Sequence, residues 1–154
     1  MQNRLGEKVK DRMNQFESLC REKGIPVTVQ RRVILQTLLQ RRDHPTADQI
    51  FEDVRKQIPD ISRTTVYRVL EALVGLGVIR RVHSMGNAVR YDGNIDRHHH
   101  LVCRECGRMA DWESPALNNL PMPKEDALGF HIDDYTIQFT GICAECRRQL
   151  DHEG

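Results

Sequence analysis

The stretch IDRHHHLVCRECGRMADW, Ile95 to Trp112, places three histidines and two cysteines within the nine residues from His98 to Cys106. Imidazole nitrogens and thiolates are ligands for first-row transition metals. The stretch therefore poses a choice between one metal site and two. Cys103 and Cys106 form a C-x-x-C pair, and Cys143 and Cys146 form another, with 36 residues between Cys106 and Cys143. Thiolates at this spacing sit on a tight turn and pinch one ion, and two pairs fill a tetrahedral zinc shell. Gly107, directly after Cys106, suits such a turn. Four thiolates leave no open position, so the zinc expected here is structural. The competing reading, a redox pair, lacks a thioredoxin-like pattern around it.

If residues 98–103 are extended, side chains alternate between faces. His98 and His100 then share a face, while His99 and Cys103 point the other way. Since the zinc shell is full, His98 and His100 are expected to begin a second site of nitrogen ligands. Local carboxylates that complete it are to be sought among Asp92, Asp96 and Asp111, and His44 in the junction DHPTAD is a more distant candidate. His83, His131 and His152 read as ordinary surface residues. Cys20 reads as a buried, inert thiol.

These ligands need elements to position them. Val9, Met13, Phe16 and Cys20 recur at helical spacing and predict an amphipathic helix ending at Gly24. Thr28 is an N-cap candidate for a second helix with Val33, Ile34 and Leu38 inward. Pro45 disfavours helix at His44. Thr46 then caps a third helix with Ile50, Phe51, Val54 and Ile58 inward. Ser62 caps a fourth, RTTVYRVLEALVGLG, terminated by Gly75 and Gly77. VIRRVHSMGNAVRYDG predicts two short strands around a Gly86-Asn87 turn. The last three helices and this hairpin make a winged helix-turn-helix. Beyond it, HHHLVC, RMADWE and HIDDYTIQF are the strand candidates. The Pro-rich SPALNNLPMPKEDALGF between the last two has room for a short helix, and CAECRRQL for a final one. The fold class expected is α+β. A winged-helix domain with its hinge covers residues 1–92, and a small α/β domain covers 93–154.

The fourth helix carries two opposed stripes. Val66, Val69, Leu70 and Leu73 face the core, and Thr64, Tyr67, Arg68 and Glu71 lie opposite. Any surface helix is polar on its outer side. The first turn adds Arg63 and the small hydroxyls Thr64 and Thr65, with Tyr67 and Arg68 just beyond, and recognition helices reach DNA from such N-terminal positions. Arg80 and Arg81 at the base of the hairpin are further phosphate candidates. Charge agrees: residues 1–92 hold 17 Lys and Arg against 11 Asp and Glu, while residues 93–154 hold 6 against 11. A basic front and an acidic back suggest an anion-binding domain followed by a different module. At 154 residues the chain suits one or two small domains. No apolar run is long enough for a transmembrane helix and no signal-peptide pattern opens the chain, so a soluble, cytoplasmic protein is expected.

The motifs HPTADQIF, SRTTVYRVLEALVGLGVIRRV, RYD, HHHLVCRECGRMADW, GF and GICAEC together resemble those of the ferric uptake regulator family, over nearly the full length. The resemblance implies a dimeric, metal-dependent transcriptional repressor with a C-terminal dimerisation domain. The likeness is strongest to the peroxide-responsive subgroup, whose sensing site uses three histidines and two aspartates. By motif these fall on His44, Asp92, His98, His100 and Asp111. Iron-uptake members tend to carry glutamates at the two aspartate positions, and zinc-uptake members a cysteine ligand in the interdomain segment, where this chain has none. A further metal site found in some members looks absent, because Tyr135 and Arg97 stand at its positions. The Pro-rich 115–128 segment also departs from the usual dimerisation-domain helix.

Three imidazoles and two carboxylates suit Fe(II) or Mn(II). The resemblance implies that such a metal orients the homodimer on an AT-rich palindromic operator. It also implies that iron-dependent oxidation of His44 or His98 by peroxide releases the DNA, in a sensor rather than an enzyme. The nearest rival is an iron- or manganese-uptake repressor of the same family. A zinc hydrolase built on His98 and His100 leaves the recognition-helix stripe unexplained. A zinc-ribbon adaptor leaves His44, Asp92 and Asp111 unexplained.

Overall fold

The computed structural model describes residues 2–83, 88–123 and 128–154. The chain divides into two compact units, residues 1–95 and 96–154.

The first unit holds α1 (Gln2–Lys23), α2 (Val29–Gln40), α3 (Ala47–Val54) and α4 (Arg63–Gly75), followed by β1 (Arg80–His83) and β2 (Val89–Asp92). Each of the last three helices begins at the capping residue expected. Thr28 accepts from the Arg31 N–H, Thr46 forms a reciprocal capping box with Gln49, and Ser62 accepts from the Thr65 N–H. Caps of this kind satisfy helix-start donors that otherwise lack partners. The inward stripes meet in one core of Phe16, Cys20, Ile34, Leu35, Leu38, Ile50, Val54, Val66, Leu70, Leu73 and Ile79. Burial of each such Leu, Ile or Phe is worth about 1.5–3 kcal/mol.

Two boundaries in this unit differ from expectation or escape it. α3 ends at Val54, because the Val54 carbonyl accepts from both Gln57 and Ile58 and tightens the chain into turns. Ile58 nevertheless packs against the core from outside the helix. The strands β1 and β2 pair antiparallel from Arg80↔Asp92 to His83↔Val89. The Gly86-Asn87 turn lies outside the described residues.

The second unit holds β3 (His99–Cys103), β4 (Met109–Trp112), α5 (Pro115–Asn118), β5 (Gln138–Gly141) and α6 (Ala144–Glu153). Its sheet runs β4-β3-β5, with β3 antiparallel to β4 and parallel to β5. HIDDYTIQF was expected to be extended throughout, but the strand begins only at Gln138. Ahead of it the Asp134 carboxylate takes the Tyr135 backbone N–H at 2.8 Å, a local bond of the kind that competes with a strand ladder. Buried apolar side chains are few among the described residues of this unit: Val102, Cys103, Met109 and Cys146. A unit of this size rarely stands on such a core without a disulfide, a metal or a partner.

Candidate metal centres and nucleic-acid interface

The parallel pairing of β3 with β5 puts Cys103 opposite Gly141. Both cysteine pairs therefore emerge at the same end of the sheet, Cys103–Cys106 in the turn after β3 and Cys143–Cys146 at the start of α6. In the first turn the Gly107 N–H returns to the Cys103 carbonyl at 2.9 Å, with Gly107 at φ 73°. Only glycine takes that conformation without strain. The Cys143 sulfur caps α6 by accepting from the Cys146 N–H.

All four sulfurs lie within 4.8 Å of one another, and Cys106 Sγ is 3.9 Å from Cys143 Sγ. Zinc–sulfur bonds of about 2.3 Å in a tetrahedron require sulfurs about 3.8 Å apart. The donor set and its spacing fit zinc. Backbone N–H groups of Cys106 and Cys143 hold the Cys103 thiol down to about 6. The neighbouring Cys143 sulfur and burial push Cys146 up. Crowded thiols resist becoming thiolates together, and a divalent cation offsets that cost.

Each of the three adjacent histidines is fixed by what its ring nitrogens meet. His98 Nδ1 lies 2.6 Å from the Asp96 carbonyl, which can only accept, so Nδ1 carries the proton. Nε2 is left as the donor of an electron pair, the usual arrangement of a metal-ligating histidine. It lies 3.2 Å from His100 Nε2 and 3.4 Å from Asp111 Oδ1. Register explains the convergence, because His100 stands opposite Asp111 across β3 and β4. His100 Nε2 is 3.7 Å from the same carboxylate oxygen. His99 is fully buried on the other side. Its Nδ1 accepts from the Ile137 N–H at 3.1 Å, so Nε2 bears the proton and donates to Asn118 Oδ1 at 3.0 Å. With both nitrogens committed and its ring stacked on Tyr135, His99 is structural.

In the first unit, His44 and Asp92 are buried and paired, with Nδ1 3.4 Å from Oδ2. Non-local backbone contacts bring them together. The Tyr91 N–H donates to the Pro45 carbonyl at 2.9 Å, Thr46 bridges Arg90, and the Arg90 guanidinium donates to the His44 carbonyl at 3.0 Å. His44 itself has φ 48°, a left-handed conformation that is costly for a residue with a side chain. Such strain clusters at functional positions. Just before it, Arg41 binds Asp43 through two nitrogens and also reaches Asp53, and the guanidinium holds the Asp43 carboxyl below its usual range. The second residue of the RYD motif has its own role. Tyr91 is buried, and its hydroxyl donates to Glu71 on α4 at 2.7 Å. Burial and that carboxylate push the phenol upward. Sequence reasoning set Glu71 on the outer stripe of α4 and missed this bond, which depends on a partner 20 residues away.

On α4, Thr64, Tyr67 and Arg68 are exposed on the outer side, and Val66, Val69, Leu70 and Leu73 are buried. Arg63 is exposed but turned toward α3, 2.6 Å from Asp48 and 3.8 Å from Glu52, over the Phe51 ring. The Thr65 hydroxyl lies 2.8 Å from the Ser62 hydroxyl at the helix cap. Arg81 at the base of the hairpin pairs with Glu71. His83, His131 and His152 are exposed, and Cys20 is buried in the core.

The chain is similar to the peroxide-responsive repressor PerR of Staphylococcus aureus, 28% identical over 141 residues that cover 92% of this chain and 95% of the relative. Its fold is similar to that of the Francisella tularensis ferric uptake regulator with iron, at 27% identity and a TM-score of 0.67, covering 80% of this chain and 96% of that one. PerR from Streptococcus pyogenes, described for peroxide sensing and gene regulation, is 27% identical with a TM-score of 0.52, covering 87% of this chain and 92% of its own. The model of the ferric uptake regulator family matches residues 22–140, and the chain belongs to that family.

Proposed function

We propose that this chain is a metal-dependent, peroxide-sensing transcriptional repressor that works as a homodimer on an AT-rich palindromic operator. The observation that carries the reading is a pair of histidine–aspartate half-sites whose histidines and Asp92 are buried and whose Asp111 is exposed. His44 and Asp92 form one, and His98, His100 and Asp111 form the other. Their mixed nitrogen and oxygen donors suit Fe(II) or Mn(II), whereas the four thiols suit a permanent zinc. Metal at the His44–Asp92 half-site acts on the unit that carries α4, and in a dimer the two α4 helices must match DNA half-sites at a fixed separation. Metal and DNA affinity are then coupled, by the same factor in either direction.

Homodimerisation fits the second unit, where Leu101 and Phe139 sit side by side across β3 and β5 and are both exposed. Exposed neighbouring apolar side chains mark contact surfaces. On α4 we assign the DNA interface to Arg63, Thr64, Thr65, Tyr67 and Arg68: Thr64, Tyr67 and Arg68 as the direct contacts, Arg63 and Thr65 as the residues that hold the first turn in place without touching DNA. No described helix is long and apolar enough to cross a membrane. Four thiols suited to zinc and a proposed DNA target support a reducing cytoplasm as the protein's location.

Bound Fe(II) supplies peroxide chemistry that Mn(II) does not. The chain's part is to hold His44 and His98 where an oxygen from peroxide is added to the ring, with water as the other product. An oxidised ring is a poorer ligand, the half-site is lost and the repressor leaves DNA. This is one-time sensing without turnover, so the protein is not an enzyme. The test is to load the protein with Fe(II) or Mn(II), measure binding to AT-rich palindromic duplexes and add hydrogen peroxide. DNA release with an added oxygen on the His44 or His98 peptide, in the iron form alone, is expected. Iron-loaded binding that survives peroxide overturns the sensing role and leaves an iron- or manganese-uptake repressor.

A further inference from the structure

We infer that the Tyr91 hydroxyl, through Glu71, carries the state of the His44–Asp92 half-site to the recognition helix α4, which makes Tyr91 a positioning residue for metal-dependent DNA binding. The inference rests on the reading that this half-site binds the regulatory metal and that α4 binds DNA.

Three observations lead to it. First, Tyr91 and Asp92 are consecutive on β2, so their side chains leave opposite faces of the strand. A shift of the strand that moves one carboxylate moves the neighbouring phenol as well. Second, β2 has little slack. One edge pairs with β1, and the other is bonded to the segment carrying His44 through Tyr91 N–H to Pro45 and Arg90 to the His44 carbonyl. Third, the Tyr91 ring is 2% exposed, and its hydroxyl meets Glu71 Oε1 at 2.7 Å. A buried ring has few rotamers to absorb motion, and a hydrogen bond to a carboxylate is among the stronger kinds.

Glu71 itself needs a reason. It lies three residues past Arg68 on the outer stripe of α4, and a carboxylate is unfavourable on a face that meets phosphates. Its two oxygens are taken by Tyr91 and, at 2.7 Å, by Arg81 of β1. The carboxylate is thus the point at which both strands of the hairpin fasten to the helix. Metal at His44 and Asp92 stiffens β2 at one end, and Glu71 passes the constraint to the helix at the other.

The experiment uses the full-length dimer and an AT-rich duplex selected from a random pool by the Mn(II)-loaded wild type. DNA affinity is measured with and without saturating Mn(II), and Mn(II) affinity is measured on the protein alone. For the wild type, a gain on Mn(II) of about 5- to 150-fold is expected. Tyr91→Phe keeps the ring in the core. Its metal-free DNA affinity should stay within about twofold of wild type, while the gain on Mn(II) shrinks at least about fivefold. Glu71→Ala breaks the same bond from the exposed side and guards against a folding defect in the first variant. The double variant should lose no more of the gain than either single one, the signature of a shared interaction. An undiminished gain in Tyr91→Phe, or an equal loss of affinity with and without metal, overturns the inference alone. A wild type whose DNA affinity ignores Mn(II) overturns the reading beneath it, and the inference with it.

Discussion

His98, His99 and His100 have the same side chain and consecutive positions, yet they do different work. The difference lies in which ring nitrogen is already spoken for. The Asp96 carbonyl accepts from His98 Nδ1–H and so leaves Nε2 turned toward His100 and Asp111. His99 spends both nitrogens on Ile137 and Asn118. Strand alternation separates His99 from its neighbours in the sequence, but its partners are 19 and 38 positions away and leave no local trace. The same holds for His44, which sequence spacing leaves isolated and the family resemblance brings in. Two variants separate the roles. His98→Ala should lose regulatory Mn(II) while keeping zinc, read by metal analysis after gel filtration. His99→Leu should keep both metals and lose about 1–3 kcal/mol of stability in denaturant unfolding, because it strands the part-buried Ile137 N–H and Asn118 Oδ1. If His99→Leu instead loses Mn(II) at unchanged stability, the structural assignment is wrong.

At the scale of elements, the first unit is written almost locally. Thr28, Thr46 and Ser62 start three helices at the positions their side chains dictate, and the apolar stripes find one another in a single core. The second unit is less legible, since its central pairing joins β3 to β5 across a long segment whose described residues hold only β4 and α5 as regular elements. The Asp134 carboxylate bond to the Tyr135 N–H ahead of β5 is a side-chain event no periodicity reveals. With so few buried apolar groups, this unit leans on the four thiols at its end. Cys106→Ser, or stripping zinc with a strong chelator, should unfold or monomerise it, rather than merely desensitise it to metal. Sedimentation and thermal melts check this. A stable dimer with only a weakened Mn(II) response would show the thiol site to be dispensable for structure.

For the whole molecule, charge is partitioned as the sequence suggests, with the basic half carrying α4. Much of that positive charge is already used internally. Arg63 faces Asp48, Arg81 faces Glu71 and Arg41 faces Asp43 and Asp53. The count of 17 Lys and Arg therefore overstates what is available to phosphates, and the counterion release on binding should be modest. Arg68→Ala should weaken DNA binding and reduce the slope of log K against log salt by about one per protomer. Arg63→Ala should change that slope less, since its guanidinium is already neutralised. Equal slope changes for the two variants would place Arg63 on the DNA after all.

The parallel pairing of β3 with β5 also has a consequence for the order of folding during synthesis. Everything the first unit needs has been made by residue 95. The second cannot close its sheet or complete its sulfur shell until residues 138–146 arrive. Long-range pairing of this kind forms slowly, after the local elements. A growing chain thus holds a finished winged helix beside Cys103 and Cys106 alone, two thiolates that bind zinc weakly and open to exchange. With the dimer contact proposed at Leu101 and Phe139 on β3 and β5, two copies cannot lock together before each has completed its own α4.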